Sequence, residues 1–335
     1  MPLTLVTGAT GLLGSNLVRL LVREGWSVRA LVRSRQRAAV QFDDLPVTLV
    51  EGDLARGTPL APAMAGVDVL FHAAAHFREG LSGRRHERAM QAVNVDGTAA
   101  VLAAAADAAV PRVVHVSSIA VLDGPRGARI DASMRRPVRD ADPYARSKLA
   151  ADALVERYLA ERNDRWAAIV LPGWMHGPGD LGPTAAGRTV IDFAQGRIPL
   201  AVPGTVAVVD ARDVALAALR AAERGSRGGR YLMAGPHYDM RDYLATLAGA
   251  TGRPAPRFTA PLPSLYAAAV AGEAWRALSG RSVRLGLAEV RRLARDAERT
   301  RFDHALTARD LGVTFRPLDE TLRDSVAWLR SHGML

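Results

Sequence analysis

Residues 3–14 read LTLVTGATGLLG, and this stretch decides the fold. Residues 3–7 are an apolar run of strand length. Glycines follow at 8, 11 and 14, and from Leu12 onward Leu13, Leu17, Leu20 and Leu21 repeat with a helical period as far as Gly25. A strand, a glycine turn and a helix in that order form a cradle for a dinucleotide. Gly8 permits the tight turn, Gly11 lets the backbone approach a pyrophosphate, and Gly14 lets helix and strand pack closely. The free N–H groups of the helix N-terminus face the phosphates. Thr10, Leu12 and Leu13 complete the expected cofactor-contacting turn.

Outward from that unit the same rhythm repeats. Strands are expected at 27–32, 47–50, 67–73, 112–117 and 167–171, with long helical patterns at 89–109 and 144–162. Short apolar strands alternating with longer helices predict an α/β fold, a Rossmann-like doubly wound parallel sheet with helices on both faces. After residue 172 the pattern loosens. Residues 176–187 form a glycine/proline loop, a short helix is expected near 188–196, a strand at 206–209, and helices at 211–224, 240–251, 261–278 and 319–331. The expected organisation is a nucleotide-binding region over 1–172 and a smaller substrate cap over 173–335, with 206–235 returning to the nucleotide domain.

The end of the second strand bears on the choice of cofactor. An NAD site ordinarily carries an acid there for the ribose hydroxyls. This chain has Arg33, Ser34, Arg35 and Arg37 and no acid nearby. Guanidinium groups suit a 2′-phosphate, so NADP(H) is the favoured cofactor, held by Arg33, Arg37 and Ser34, with NAD(H) as the alternative. Asp53, after the third strand, is a candidate for the adenine amine, and its competing role is a cap.

Tyr144 and Lys148 share one helix face through their i,i+4 spacing. Ser117 and Ser118 end the strand 112–117, at the strand end where ligands of such sheets bind. A phenol titrates near 10, and a neighbouring ammonium is expected to lower it toward useful acid–base chemistry. Ser118 would hold a substrate oxygen, Tyr144 would move its proton, and Lys148 would hold the nicotinamide ribose. Of the 44 basic side chains Lys148 is the single lysine. In a chain that otherwise uses arginine, a compact ammonium on a thin stem explains that choice.

Composition narrows the alternatives. There are no cysteines, so disulfide and thiol chemistry are excluded. The net charge is +10, but the arginines are spread along helices that also carry acids, as in 146–165 and 289–303, and nucleic-acid binding is not expected. No apolar run is long enough for a membrane span, no basic region precedes an apolar N-terminal stretch, and a cytoplasmic location is expected. No His/Asp/Glu spacing suggests a metal, and hydride chemistry needs none.

The ordered set TGATGLLG (7–14), GDL (52–54), HAAA (72–75), NVDGT (94–98), VSSIAV (116–121), YARSK (144–148), LPGWMHGPGD (171–180) and VVDARDVA (208–215) resembles the extended short-chain dehydrogenases/reductases. That NAD-dependent epimerase/dehydratase superfamily includes sugar-nucleotide epimerases, dihydroflavonol reductases and 3β-hydroxysteroid dehydrogenases. The resemblance implies a Ser118/Tyr144/Lys148 triad supported by Asn94. It implies that Leu54, Ala73, Ala74, Val116, Pro172 and Gly173 lie beside the cofactor with Asp53, and that a homodimer forms through helices near 89–109 and 144–162. Arg33 and its neighbours depart from the sugar-epimerase pattern, as does His176, where those enzymes usually carry tyrosine. His76, Phe77, Ile119, Trp174, Met175 and His176 are the candidate substrate contacts, an aromatic and apolar set suited to a medium-sized carbonyl or alcohol. The expected activity is NADPH-dependent interconversion of a ketone or aldehyde and its alcohol. A nucleotide-sugar epimerase or dehydratase with tightly bound NAD is the alternative, and a non-enzymatic NADP sensor is a third reading.

Overall fold

The structure is a computed structural model and describes residues 1–76, 84–125, 127–279, 286, 287, 290 and 301–335. The first strands are β1 (Leu3–Thr7), β2 (Ser27–Val32) and β3 (Val47–Glu51), followed by β4 (Val69–His72), β5 (Arg112–Val116) and β6 (Ala167–Pro172). Three more follow, β7 (Trp174–His176), β8 (Thr205–Asp210) and β9 (Arg230–Met233), and the first six with β9 make a seven-stranded parallel sheet in the order β3-β2-β1-β4-β5-β6-β9. The strands read as continuous apolar runs because both faces are buried, yet their side chains sort with period two. Val6, Phe71, Val114 and Val170 enter the core on one face. Leu5, Leu70, Val113 and Ile169 enter the core on the other.

The helices that cover this sheet follow from the same pattern. α1 (Leu12–Arg23) is succeeded by α2 (Arg35–Phe42), α3 (Ala61–Met64), α4 (Arg84–Met90), α5 (Gly97–Asp107), α6 (Pro143–Glu161), α7 (Ala185–Ala194) and α8 (Ala211–Arg224). α1 and α8 share one face of the sheet, where Leu17 and Leu21 meet Val214, Ala218 and Leu219 in one core. α5 and α6 cover the other, through Val101, Leu102, Val155 and Leu159. The expected 89–109 helix is interrupted: Gln91–Asp96 winds as a π-helical turn between α4 and α5. Such turns mark functional positions, and this one carries Asn94.

The strand expected at 206–209 forms, but it belongs to a second sheet. β8 pairs with β7 in parallel and with β10 (His237–Asp239) antiparallel. It is β9, further along, that returns to the main sheet. α7, α9 (Met240–Thr251) and the C-terminal helix Leu318–Ser331 enclose a separate small core of Val190, Phe193, Val208, Leu247, Leu322 and Val326. This is the smaller cap beyond the nucleotide-binding sheet. Among the described residues no helix is long and apolar enough to cross a membrane, and no group of three or more His, Asp or Glu could hold a metal ion.

Candidate active site

The strand order reverses between β1 and β4, and a doubly wound sheet binds its ligand at the carboxyl ends of the strands flanking that reversal. Thr7 ends β1 and His72 ends β4, and their side chains meet there, Thr7 Oγ1 to His72 Nδ1, at 2.7 Å. His72 Nε2 reaches Thr98 Oγ1 at 2.9 Å, and Thr98 donates to the carbonyl of Asn94 at 2.7 Å. This buried chain joins the base of the cleft to the π turn.

The three glycines of the turn do different work. Gly8 has φ +69°, and an added Cβ would lie 2.6 Å from the Ala74 nitrogen. Gly14 could not carry a Cβ without driving it into the backbone of Gly8 and Ala9. Gly11 has an ordinary φ of −80°, is exposed, and its Cβ would meet only the Gly8 carbonyl at 3.3 Å. Neither backbone conformation nor internal packing requires glycine at 11, which leaves room for a ligand as its reason. The N-terminus of α1 agrees. Gly11 offers no side-chain cap and the first turn holds no acid. In contrast Ser34, Asp142, Thr184 and Asp210 each cap the helix they precede. Uncapped N–H groups at a helix N-terminus above a glycine turn fit a dinucleotide pyrophosphate. The cap reaches this turn as well: Asn16 donates to Pro178 O at 2.7 Å. Asp180 is spent on the same loop, accepting from Thr184 N and Oγ1.

Ser118, Tyr144 and Lys148 converge at the ends of β5 and α6. Ser118 holds the short turn 119–121, accepting from Ala120 N at 3.2 Å, and its hydroxyl also hydrogen-bonds the Tyr144 phenol. Lys148 is 2% exposed, and its ammonium donates to Val116 O at 2.8 Å. Burial draws its pKa down to about 8, against the charge of Asp152. Tyr144 departs from expectation. Burial pushes the phenol up to about 12, outweighing the Ser118 hydrogen bond. Asn94 Oδ1 accepts from His76 N at 2.7 Å, and its Nδ2 donates to His76 O at 3.1 Å and to Ser147 Oγ at 2.9 Å. It therefore ties the segment after β4 to the helix that carries Tyr144 and Lys148.

The remaining predicted residues lie as follows. Ala73 N donates to Thr7 O and Ala74 N to Thr7 Oγ1, beside Gly8. Pro172 ends β6 against Met233, and Gly173 leaves no room for a Cβ against Ala234. Leu54 packs beside Gly97. Ile119 is half-buried against the sheet core, and so is Met175, while Trp174 turns to the cap core. His176 is buried with Trp174 and Tyr243, its ring 4.7 Å and 5.6 Å from theirs, and burial draws its pKa down to about 3. His76 is half-buried, with Nε2 3.3 Å from His86 Nδ1. Phe77 lies outside the described residues. Thr7, His72, Thr98, Ser147 and Asp152 were not singled out as site residues from sequence. The i,i+4 steps from Lys148 to Asp152 and from Asn94 to Thr98 offered a local signal, as did the place of Ser147 beside Lys148, whereas Thr7 and His72 meet through tertiary contacts.

The buried histidines make the fold sensitive to acid. His72 is held neutral chiefly by burial and secondly by Lys148, with its pKa lowered to about 3, as is that of His176. Both folded values lie below the unfolded 6.5, so the unfolded chain binds more protons between pH 3 and 6.5, and stability rises with pH across that window. From pH 7.5 to pH 5 each should cost about 2 kcal/mol of unfolding free energy. Urea unfolding at the two pH values measures it. An unchanged midpoint would mean that these rings are solvated.

Residues 4–234 match the model of the NAD dependent epimerase/dehydratase family. The chain belongs to that family. Over 335 residues it is 36% identical to sterol demethylase protein B of Methylococcus capsulatus, covering 99% of each chain. It is 34% identical to a putative dihydroflavonol 4-reductase of Synechocystis, covering 98% of this chain and 94% of that one. Among solved structures it is similar to gox2253, at 33% identity, complete coverage of both chains and a TM-score of 0.84. MoeE5 in complex with UDP-glucuronic acid and NAD is 25% identical over 98% of this chain and 99% of that one, with a TM-score of 0.73.

One of these relatives corrects the cofactor expected from sequence, and with it the expected NADPH-dependent reductase. MoeE5 carries NAD. The residues assigned to a 2′-phosphate have other surroundings here. The Ser34 hydroxyl accepts from Arg37 N as the cap of α2. Arg33 and Arg37 are exposed, which is the ordinary setting of a solvated arginine in an arginine-rich chain. Asp53 accepts from Ala55 N as a turn cap.

Proposed function

We propose that this protein is an NAD-dependent epimerase or dehydratase that acts on a nucleotide sugar through transient oxidation of a secondary alcohol. The observation that carries the reading is the convergence of Ser118, Tyr144 and buried Lys148 beside a glycine turn shaped for a dinucleotide. The NAD- and UDP-sugar-bound MoeE5 relative supports it.

NAD, when bound, supplies the hydride acceptor and a positively charged ring. The backbone N–H groups of residues 12–14 would hold the pyrophosphate across Gly11, whose own N–H is donated to Gly8 O, with Thr10 beside them. Ala73, Ala74, Pro172 and Gly173 would hold the nicotinamide half, and Asp53 and Leu54 the adenine half. Lys148 has N–H groups left after its bond to Val116 O and would donate hydrogen bonds from them to the nicotinamide ribose. Ser118 donates to the substrate oxygen and orients it toward Tyr144. Tyr144 takes the hydroxyl proton as the carbonyl forms and returns it on reduction. Raised to about 12, the phenol is protonated at rest, so it would serve as the base only after giving its own proton to solvent, as a phenolate favoured by the cationic charge of Lys148 and of the bound ring. Asn94 fixes the distance between the His76 segment and α6. Ile119, Trp174 and Met175, with His76, would contact the substrate. A homodimer through α5 and α6 belongs to the same proposal and is read from the solution mass.

The test is extraction of cofactor from the purified protein, followed by addition of UDP-sugars with absorbance recorded at 340 nm. The expected result is retained NAD(H), with sugar isomerised or dehydrated and no net accumulation of NADH. Protein that carries no nicotinamide cofactor, and that consumes added cofactor stoichiometrically with product, would overturn the reading.

A further inference from the structure

We infer that the buried Asp152–Arg230 ion pair is a positioning device for Lys148, keeping its side chain an ammonium where it meets the Val116 carbonyl. The inference rests on the role proposed for Lys148 and adds two residues to it. Asp152 lies one helical turn after Lys148 on α6, and both are 2% exposed. Arg230 comes from β9 at the sheet edge. Its Nη2 donates to Asp152 Oδ2 at 2.9 Å and its Nε to Ala132 O at 3.0 Å. The pair thus joins α6, the sheet edge and the loop that leaves Ser118.

The surroundings show why the lysine needs this support. His72 on β4 and His115 on β5 lie near Lys148 and are both kept neutral by burial. Tyr144 lies one turn before it on the same helix. Asp152 is the carboxylate whose charge acts on the ammonium. Burial raises the Asp152 pKa, and Arg230 opposes that most strongly, with Ser117 and Lys148 also favouring the carboxylate, so that the net direction is upward. His115 Nε2 stands 3.7 Å from the other carboxylate oxygen, and Glu156 lies beyond Arg230 at 3.8 Å. The order of dependence is therefore Arg230 on Asp152, then Asp152 on Lys148. A buried ion pair is poor evidence for stability alone, since its desolvation offsets its attraction. A pair placed to hold an adjacent charge has a separate reason to be there.

Between pH 6 and 9 neither Tyr144, near 12, nor His72, near 3, changes charge. Lys148, near 8, does. The decisive measurement is NAD affinity by calorimetry from pH 6 to 9 on the cofactor-stripped full chain, with kcat/KM in parallel. In Asp152→Asn the pH at which affinity falls should drop by about one unit. The affinity at pH 8 should then be about fivefold weaker, approaching tenfold at pH 9, and at pH 6 within about twofold of the parent. Asp152→Glu should restore the profile in part. Asp152→Asn/Arg230→Gln removes both charges, which guards against a single variant that fails to fold, and should show the same downward shift. Lys148→Met should bind weakly with a flat profile. Midpoints of both Asp152 variants equal to the parent's, with Lys148→Met weakened, would overturn the inference alone. Parent-like affinity in Lys148→Met at every pH would overturn the role of Lys148 itself.

Discussion

Tyr144→Phe should lower turnover by about 10²- to 10⁴-fold and leave NAD affinity within about threefold. The phenol oxygen is the group that the Ser118 hydroxyl meets, so its removal deletes the proton carrier while the ring stays packed at the head of α6. Ordinary acid–base groups operate best with a pKa near the working pH. This one is pushed up to about 12 by burial. Removal of the hydroxyl should therefore also remove any alkaline rise in rate caused by phenolate formation. Hydride transfer monitored at 340 nm in a single turnover, beside cofactor titration, separates the two effects. A loss of affinity equal to the loss of rate would show that Tyr144 acts in binding. An unchanged rate would remove it from the chemistry.

The sheet was legible in the sequence because parallel strands buried on both faces are written as short apolar runs. Residues 3–7, 27–32 and 167–171 all formed strands within a residue of those bounds. The Tyr144/Lys148 pair was legible for a local reason, since one helical turn brings i and i+4 together. The π turn at 91–96 was not. It depends on one extra residue per turn, stabilised by what Asn94 binds across the cleft, and no local propensity encodes that. The buried partners of Lys148 were equally hidden, because Arg230 lies 78 positions from Asp152 and reaches it only once β9 returns to the sheet. The cofactor reading failed for a related reason. An arginine cluster after β2 resembles a phosphate site by type, but Ser34 is committed as a cap and the guanidinium groups of Arg33 and Arg37 lie on the exposed surface.

Gly11→Ala and Gly14→Ala should fail in opposite ways, although both alter the same turn. At position 14 the new methyl would enter the Gly8 carbonyl and lie 2.7 Å from Ala9 Cα, and both obstacles are backbone. Relief requires α1 to move off β1, into a core where Leu17 and Leu21 are fully buried. Overpacking of this kind costs about 1–3 kcal/mol, visible as a lower urea midpoint whether or not NAD is present. At position 11 the backbone is ordinary, the residue is exposed, and the methyl meets one carbonyl at 3.3 Å. Its stability without cofactor should stay within about 0.5 kcal/mol of the parent. Its NAD affinity should fall at least about tenfold, a loss of about 1.4 kcal/mol, because the methyl stands where a pyrophosphate must approach the α1 N–H groups. Urea unfolding and cofactor titration on both variants give four numbers. Weak binding with intact stability in Gly11→Ala assigns the turn to the dinucleotide. Parent-like binding there would mean that the pyrophosphate lies elsewhere, and the uncapped start of α1 would lose its explanation.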